Sequence, residues 1–134
     1  MSEPCLIALT LGDQDFRSTV DSVLRNYTDV KIHYHDDCSF SLNGSEAESA
    51  DILLINADRF QLTEKCRKNF RKLAQSAREK DKTLSIFMLT RNLTVADFIR
   101  NQSFMVKDTI DINNDLGVLE MALDNALLSL HSHA

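Results

Sequence analysis

Short apolar runs alternate with amphipathic stretches along most of the chain. The runs predict five strands, over residues 5–11, 30–35, 51–56, 83–90 and 103–107. Between most of them, apolar residues return every three or four positions, which is the spacing of a helix that packs one face on a core. Strands that alternate with helices favour right-handed crossovers and a parallel sheet. We therefore predict a doubly wound α/β fold with five strands and about five helices.

The helical segments are predicted with different clarity. The first follows the first strand, and Asp13 or Asp15 can cap its amino end. Residues 36–49 are polar and predict a loop with one short, poorly defined helix. The remaining helices are expected over residues 62–77, 94–101 and 116–130, the last capped by Asp115.

Length and composition describe one ordinary globular domain, residues 1–134. The chain has 134 residues, 43% of them apolar and 26% charged, which suffices for a single buried core. A net charge of −5 argues against general nucleic-acid binding across the whole surface, so nucleic acid is an unlikely partner for this domain alone. No apolar run is long enough to cross a membrane, and the first residues lack the features of a secretory signal.

Three cysteines, Cys5, Cys38 and Cys66, occur without the spacing of a metal site. Their odd number is most simply explained by reduced thiols in a cytoplasmic protein. No nucleophile and base stand together at the predicted strand ends. We therefore expect neither enzymatic activity nor a cofactor.

The third predicted strand ends on a polar residue, Asn56. In α/β folds the carboxyl ends of parallel strands are where sites are built. A carboxylate at this position would indicate a phosphoacceptor or a metal ligand. Asn56 is neutral and a poor nucleophile. The position therefore lies where a site is expected, but its side chain can neither accept a phosphoryl group nor serve as an anionic metal ligand.

Three segments together resemble the receiver domains of bacterial response regulators. Residues 51–56, 86–90 and 104–107 are similar, in order and spacing, to the third, fourth and fifth strands of that family. The resemblance covers nearly the whole chain and implies a flavodoxin-like sheet with the strand order 2-1-3-4-5. It implies that Asn56 stands at the phosphoacceptor position.

The resemblance also assigns the other pocket positions. Thr90 and Phe104 correspond to the two switch residues of a receiver, and Lys107 to the lysine that pairs with the phosphoryl group. Lys107 then hydrogen-bonds Asn56 and closes the pocket, or else simply reaches solvent. Thr90 and Phe104 are either a switch moved by a partner or, as we favour, an ordinary hydroxyl and a core aromatic.

The chain departs from the receiver pattern where the metal is bound. Leu11 and Gly12 fall where the family has two acidic residues that bind Mg²⁺, and a shift of one residue brings Asp13 close to that place. Phosphoryl transfer to a protein needs a carboxylate and a divalent ion. The sequence therefore predicts a degenerate pocket that holds no metal.

Two further departures point the same way. Arg91 replaces the small residue that usually follows the switch threonine, and its bulk can cover the pocket. Asp108 replaces the proline that usually follows the lysine. The resemblance thus implies a pseudo-receiver, a non-catalytic signalling module that acts through a protein partner or a second copy of itself. The alternative is a sensor of a nucleotide or other anion, held by Lys107, Arg91 and helix amino ends.

A possible contact face lies on the final helix. Val118 and Met121 fall outside its main apolar stripe, so they are either exposed or covered by a second layer. In receivers the fourth helix, fifth strand and fifth helix form the usual dimer surface, to which Val95 and Phe98 would contribute.

Two other patterns have simple explanations. His33 and His35 lie two apart on a predicted strand and, with His131 or His133, could bind Zn²⁺, although this spacing is common by chance. Residues 65–82 are rich in lysine and arginine, which indicates either a docking patch for an acidic partner or nucleic acid or, as we favour, a solvated helix face.

Overall fold

The computed structural model describes residues 3–36, 50–60, 68, 75, 84–91, 108–113 and 116–132. These residues form five strands: β1 (Cys5–Leu9), β2 (Lys31–His35), β3 (Ile52–Asn56), β4 (Ser85–Thr90) and β5 (Asp108–Asp111). They also form three helices: α1 (Gln14–Leu24), α2 (Ala57–Phe60) and α3 (Leu116–Ser132).

The five strands form one parallel sheet in the order β2-β1-β3-β4-β5, which confirms the predicted architecture. The inner strands β1, β3 and β4 are buried along their whole length, as continuous apolar runs require when both faces of a sheet are covered. β2 lies at one edge and is partly exposed, in agreement with its alternating sequence. The order 2-1-3-4-5 is that of flavodoxin-like folds.

The predicted position of the fifth strand is wrong. We expected residues 103–107, but the strand that pairs with β4 is Asp108–Asp111, with Thr90 opposite Asp111. The expected segment lies outside the described residues. Its apolar run is longer than that of β5, where Ile110 and the following Ile112 are buried and alternate with polar residues. Alternation of apolar and polar residues is typical of a strand at the edge of a sheet, such as β5. The prediction placed the strand on the more apolar segment 103–107 instead.

The helices agree with the pattern in part. Asp13 caps α1, since its carboxylate accepts a hydrogen bond of 3.1 Å from the Phe16 N–H. α2 begins directly after β3, earlier than the predicted start at residue 62. Within the expected helix over residues 62–77, Lys68 and Gln75 are helical, and its other residues lie outside the described ranges. The segments 36–49 and 94–101 are also largely outside them, so the predicted helix count is untested there.

The core lies between the sheet and the helices. Phe16, Val20 and Val23 of α1, with Leu119 and Leu123 of α3, pack on the same face of the sheet. The two helices are joined at their surface by the Tyr27 hydroxyl, which donates a hydrogen bond of 2.8 Å to Asp124. None of the described helices is long and apolar enough to span a lipid bilayer.

Candidate functional site

Polar side chains gather where β1, β3 and β4 end. Because these strands are parallel, their carboxyl ends meet at one edge of the sheet. We call this cluster the strand-end pocket and define it as Thr10, Asp13, Asn56, Asp58, Arg59, Thr90 and Arg91. Three of these residues, Thr10, Asn56 and Thr90, are buried polar residues at strand ends.

A tight turn brings Asp13 into the strand-end pocket. The Asp13 N–H donates to the Thr10 carbonyl at 3.2 Å, and the two residues between them, Leu11 and Gly12, have positive φ angles of 55° and 80°. Two central residues with positive φ are typical of a type I′ turn. The turn reverses the chain within four residues, so that the helix cap Asp13 stands beside the end of β3.

Asn56 lies at the centre of the strand-end pocket and is only 1% exposed. Its amide nitrogen donates to the Thr10 carbonyl at 3.0 Å and faces the Asp13 carboxylate at 3.4 Å. Both partners accept hydrogen bonds, which fixes the orientation of the amide. Its oxygen is buried and has no hydrogen-bond partner among the described residues. The amide thus donates to two oxygens that would otherwise suit a cation.

Two arginines face the Asp13 carboxylate from outside the sheet. The guanidinium of Arg91 lies 3.2 Å from it, and that of Arg59 lies 3.9 Å away. Burial by itself raises the pKa of Asp13. The Phe16 N–H and the charge of Arg91 outweigh burial, with further contributions from Asn56 and Arg59, so the pKa of Asp13 lies below its ordinary value. The carboxylate is therefore held ionised without a metal.

Asp58 ties α2 to the end of β4. Its carboxylate accepts a hydrogen bond of 2.5 Å from the Thr90 hydroxyl and one of 3.0 Å from the Arg91 N–H. Farther out, the Asn113 amide donates to the Arg91 carbonyl at 2.6 Å, which links the chain after β5 to the same place. Both oxygens of Asp58 are therefore engaged within the protein.

Among the described residues, carboxylates outnumber basic groups in and beside the strand-end pocket. Arg91 and Arg59 face Asp13, the Arg91 N–H donates to Asp58, and the Thr10 hydroxyl donates a hydrogen bond of 2.6 Å to a third carboxylate, that of Asp36. Among the residues that the structure describes, no group of three His, Cys, Asp or Glu side chains could hold a metal ion. This also applies to His33 and His35, which lie on the edge strand β2.

The structure brings together only part of the predicted site. Asp13, Asn56, Thr90 and Arg91 lie in the strand-end pocket. Val118 and Met121 lie exposed on α3. The remaining predicted residues, Val95, Phe98, Phe104 and Lys107, lie outside the described residues.

The expected place of Lys107 at the carboxyl end of the fifth strand is wrong. Lys107 precedes β5, whereas Asp111 ends that strand, opposite Thr90. The error has the same cause as the misplaced strand, because the lysine was located by the apolar run before it. Asp108, expected to follow the strand, is instead its first residue.

Sequence reasoning missed Thr10 and Arg59, and it gave Asp58 no partner. Thr10 carried a usable signal, since it is the polar residue that follows the buried apolar strand β1. Asp58 and Arg59 carried none, because their contacts depend on the unpredicted helix α2 that begins at Ala57.

The fold is that of response regulator receiver domains. No protein-family model and no curated protein matches the sequence. A response regulator receiver protein from Pseudoalteromonas atlantica superposes with a TM-score of 0.65 at 16% identity, over 95% of this chain and 99% of the other. RcsB from Salmonella enterica serovar Typhimurium, bound to the promoter rprA with phosphomimetic BeF₃⁻, gives 0.63 at 15% identity, over 94% and 99%.

A third neighbour is the non-phosphorylated HemR receiver domain from Leptospira biflexa, with a TM-score of 0.58 at 15% identity, over 92% of this chain and 94% of the other. All three chains are covered almost completely. Their identities are low, so the likeness extends to the fold and not to the chemistry of the pocket.

Proposed function

We propose that this protein is a pseudo-receiver, a non-catalytic signalling module that acts through protein contacts and is not phosphorylated at the strand-end pocket. Its fold is shared with receiver domains. The observation that carries the proposal is the amide of Asn56, which donates to the Thr10 carbonyl and faces the Asp13 carboxylate.

The Asn56 amide argues against phosphoryl transfer at this position. A stable aspartyl phosphate requires a carboxylate oxygen as the nucleophile, and an amide offers none. The amide nitrogen also faces the two nearest oxygens, so an approaching cation would have to displace its hydrogen bonds. At position 56 the pocket therefore has a hydrogen-bond donor, whereas phosphorylation would require a carboxylate there and a metal ion beside it.

The Arg91 guanidinium argues against metal binding in the same pocket. It lies 3.2 Å from Asp13, at a side chain that would otherwise be a ligand for Mg²⁺. A divalent cation near Asp13 would also be repelled by Arg59. Asp58 supplies no free ligand either, because both of its oxygens already accept hydrogen bonds.

The Thr90 hydroxyl supports the same proposal. In the receiver resemblance this position is a switch that responds to the phosphoryl group. Here Thr90 donates to Asp58, so an anion of the protein itself already satisfies it. A partner that acts on this domain would then bias its conformation through surface contacts and not through a phosphate.

The alternative of an anion sensor has less support. Arg91 and Arg59 are the basic side chains of the described pocket, and both are paired with Asp13. An anionic ligand would have to compete with that carboxylate for both arginines. The strand-end pocket thus lacks the excess positive charge that would attract an anion.

A thermal-shift measurement with a phosphoryl mimic tests the proposal. Wild-type protein is heated with Mg²⁺ alone, with beryllofluoride alone and with both, beside a receiver domain that has an intact acidic pair. We expect the Tm of this protein to stay constant while that of the control receiver rises, because only a bound ligand stabilises the folded state. A rise in Tm that requires both reagents would contradict the proposal.

A further inference from the structure

Two donors from neighbouring residues converge on one carboxylate in the strand-end pocket. The Thr90 hydroxyl donates to one oxygen of Asp58 at 2.5 Å, and the Arg91 N–H donates to the other at 3.0 Å. The donors lie 32 and 33 positions from Asp58 along the chain, so the contact is tertiary and not a local turn. Charge-assisted hydrogen bonds from two donors are a common way for a protein to bind an oxyanion. The arrangement is that of an anion site with its ligand in place.

Strand pairing fixes the direction of the Arg91 N–H. The peptide group between Thr90 and Arg91 is planar and trans, so its carbonyl and its N–H point in opposite directions. The Thr90 carbonyl accepts a hydrogen bond of 2.9 Å from the Ile112 N–H, which follows β5. The N–H of the same peptide group is therefore directed away from β5, toward the end of β3 where Asp58 lies. Its orientation follows from the sheet and does not require Asp58.

The Thr90 hydroxyl is held beside this N–H in a buried position. Thr90 is 0% exposed, and a buried hydroxyl needs a hydrogen-bond partner within the protein. The Asn113 amide donates to the Arg91 carbonyl at 2.6 Å, which fastens the residue next to Thr90 from the other side. Both donors are therefore in position before an anion arrives, and such preorganisation lowers the cost of binding one.

Asp58 has an advantage over a free anion because it belongs to the same chain. A tethered group competes at an effective concentration of about millimolar or above. Arg59 and Arg91 already face Asp13, so little positive charge is left to attract an anion from solution. A small anion at lower concentration therefore does not displace the Asp58 carboxylate from its two donors.

We propose that the Thr90 hydroxyl and the Arg91 N–H form an anion site whose resident ligand is the Asp58 carboxylate. The site fits a small oxyanion, a carboxylate or a phosphate, and the chain itself supplies one from α2. The domain is thereby fixed in an anion-bound state that no external anion changes. The inference names the regulation of the strand-end pocket and so rests on the proposed function.

Chemical rescue of Asp58→Ala by added anions tests the proposal. The variant removes the resident carboxylate and leaves both donors, so acetate, which matches the lost group, and inorganic phosphate should bind in its place. At constant ionic strength, we expect the Tm of the variant to rise by about 5 °C once the anion reaches about ten times its dissociation constant. The Tm of the wild type should show only the general effect of these salts on proteins. A response to one anion alone would support the site and identify the oxyanion it prefers.

Two control variants separate this site from a general effect of charge. Asp36→Ala removes a neighbouring carboxylate, which accepts from the Thr10 hydroxyl, but leaves Asp58 in place, so its Tm should follow that of the wild type. Asp58→Ala combined with Thr90→Val removes one of the two donors, and the rescue should be lost. Equal rescue of Asp36→Ala, or no response of Asp58→Ala to either anion, would overturn the proposal.

A measurement on the wild type tests the proposal even where Asp58→Ala does not fold. The Arg91 N–H should exchange slowly with solvent, and its NMR resonance should not move when acetate or phosphate is added. Exchange as fast as that of an unprotected amide, or movement of the resonance with either anion, would overturn the proposal. Acetate carries no phosphoryl group, so labelling of the wild type by acetyl phosphate would overturn the proposed function and leave rescue by acetate unchanged.

Discussion

At the scale of single residues, Asn56 and Asp13 depend on each other. The amide of Asn56 is buried and donates toward Asp13, while the ionised Asp13 is balanced by Arg91 and Arg59. Replacing either partner leaves a buried polar group without compensation, which is among the costly changes in a protein interior. Two variants separate the role of the amide from that of the charge.

Asn56→Asp should destabilise the protein by about 3 kcal/mol near neutral pH, because it buries an uncompensated charge. The new carboxylate would face the Thr10 carbonyl and Asp13, and burial and this repulsion would raise its pKa. A group whose folded-state pKa is raised stabilises most when protonated, so the loss should grow as the pH rises from about 4 to about 7. Urea unfolding measures it, with the exposed Asn26→Asp as control. Equal stability of both variants at neutral pH would contradict this interpretation.

Asp13→Asn should remove part of the acid sensitivity of the fold. Asparagine still caps α1, so the change removes mainly the charge. The folded-state pKa of Asp13 lies below its ordinary value. Its contribution is therefore present above the ordinary aspartate pKa and is lost as the pH falls through the lowered value.

The expected loss for Asp13→Asn is about 1 kcal/mol near neutral pH, because Arg91 is partly solvated, and it should shrink toward zero in acid. Unfolding free energies measured between about pH 7 and about pH 2 check this dependence. The exposed Asp15→Asn is the control. A loss that is the same at every pH would show that the charge of Asp13 does not matter.

At the scale of elements, the turn after β1 determines where Asp13 stands. Gly12 has a φ of 80°, and a Cβ built there would meet no atom closer than 4.0 Å. Space therefore permits a side chain, and only the backbone conformation opposes it. Leu11 already accepts a positive φ of 55° in the same turn.

Gly12→Ala should lower the free energy of unfolding by about 1 kcal/mol through backbone strain alone. The exposed Ser18→Ala in α1 is the control and should leave stability unchanged or slightly raised. Thermal unfolding compares the two. If Gly12→Ala were as stable as the control, the turn would not have the conformation described.

The sequence predicted the elements whose pattern depends on burial and missed those that depend on tertiary contacts. The buried strands β1, β3 and β4 and the cap of α1 follow from apolar runs and one aspartate. β5 was misplaced because its two isoleucines alternate with polar residues, which looks less like a strand than the apolar run before it. α2 has no apolar period of its own, so neither Asp58 nor Arg59 could be placed in the pocket from the sequence.

At the scale of the whole molecule, two surfaces with different chemistry stand out in the described residues. The strand-end pocket is polar, and its side chains are paired with one another. The outward side of α3 is apolar, with Val118, Met121 and Leu128 exposed. In the proposed module the pocket holds the conformation that a phosphoryl group would otherwise control.

Labelling with acetyl phosphate tests the central proposal most directly. Wild type and Asn56→Asp are incubated with acetyl phosphate and Mg²⁺, and circular dichroism confirms that both are folded under the labelling conditions. Intact-mass spectrometry should find no phosphoryl group on either protein. The pair of acidic residues that binds Mg²⁺ in receivers is missing, and the Asp13 carboxylate forms an ion pair with Arg91. Efficient labelling of Asn56→Asp at the new carboxylate would contradict the proposal, since it would show that the pocket still binds metal and transfers phosphate.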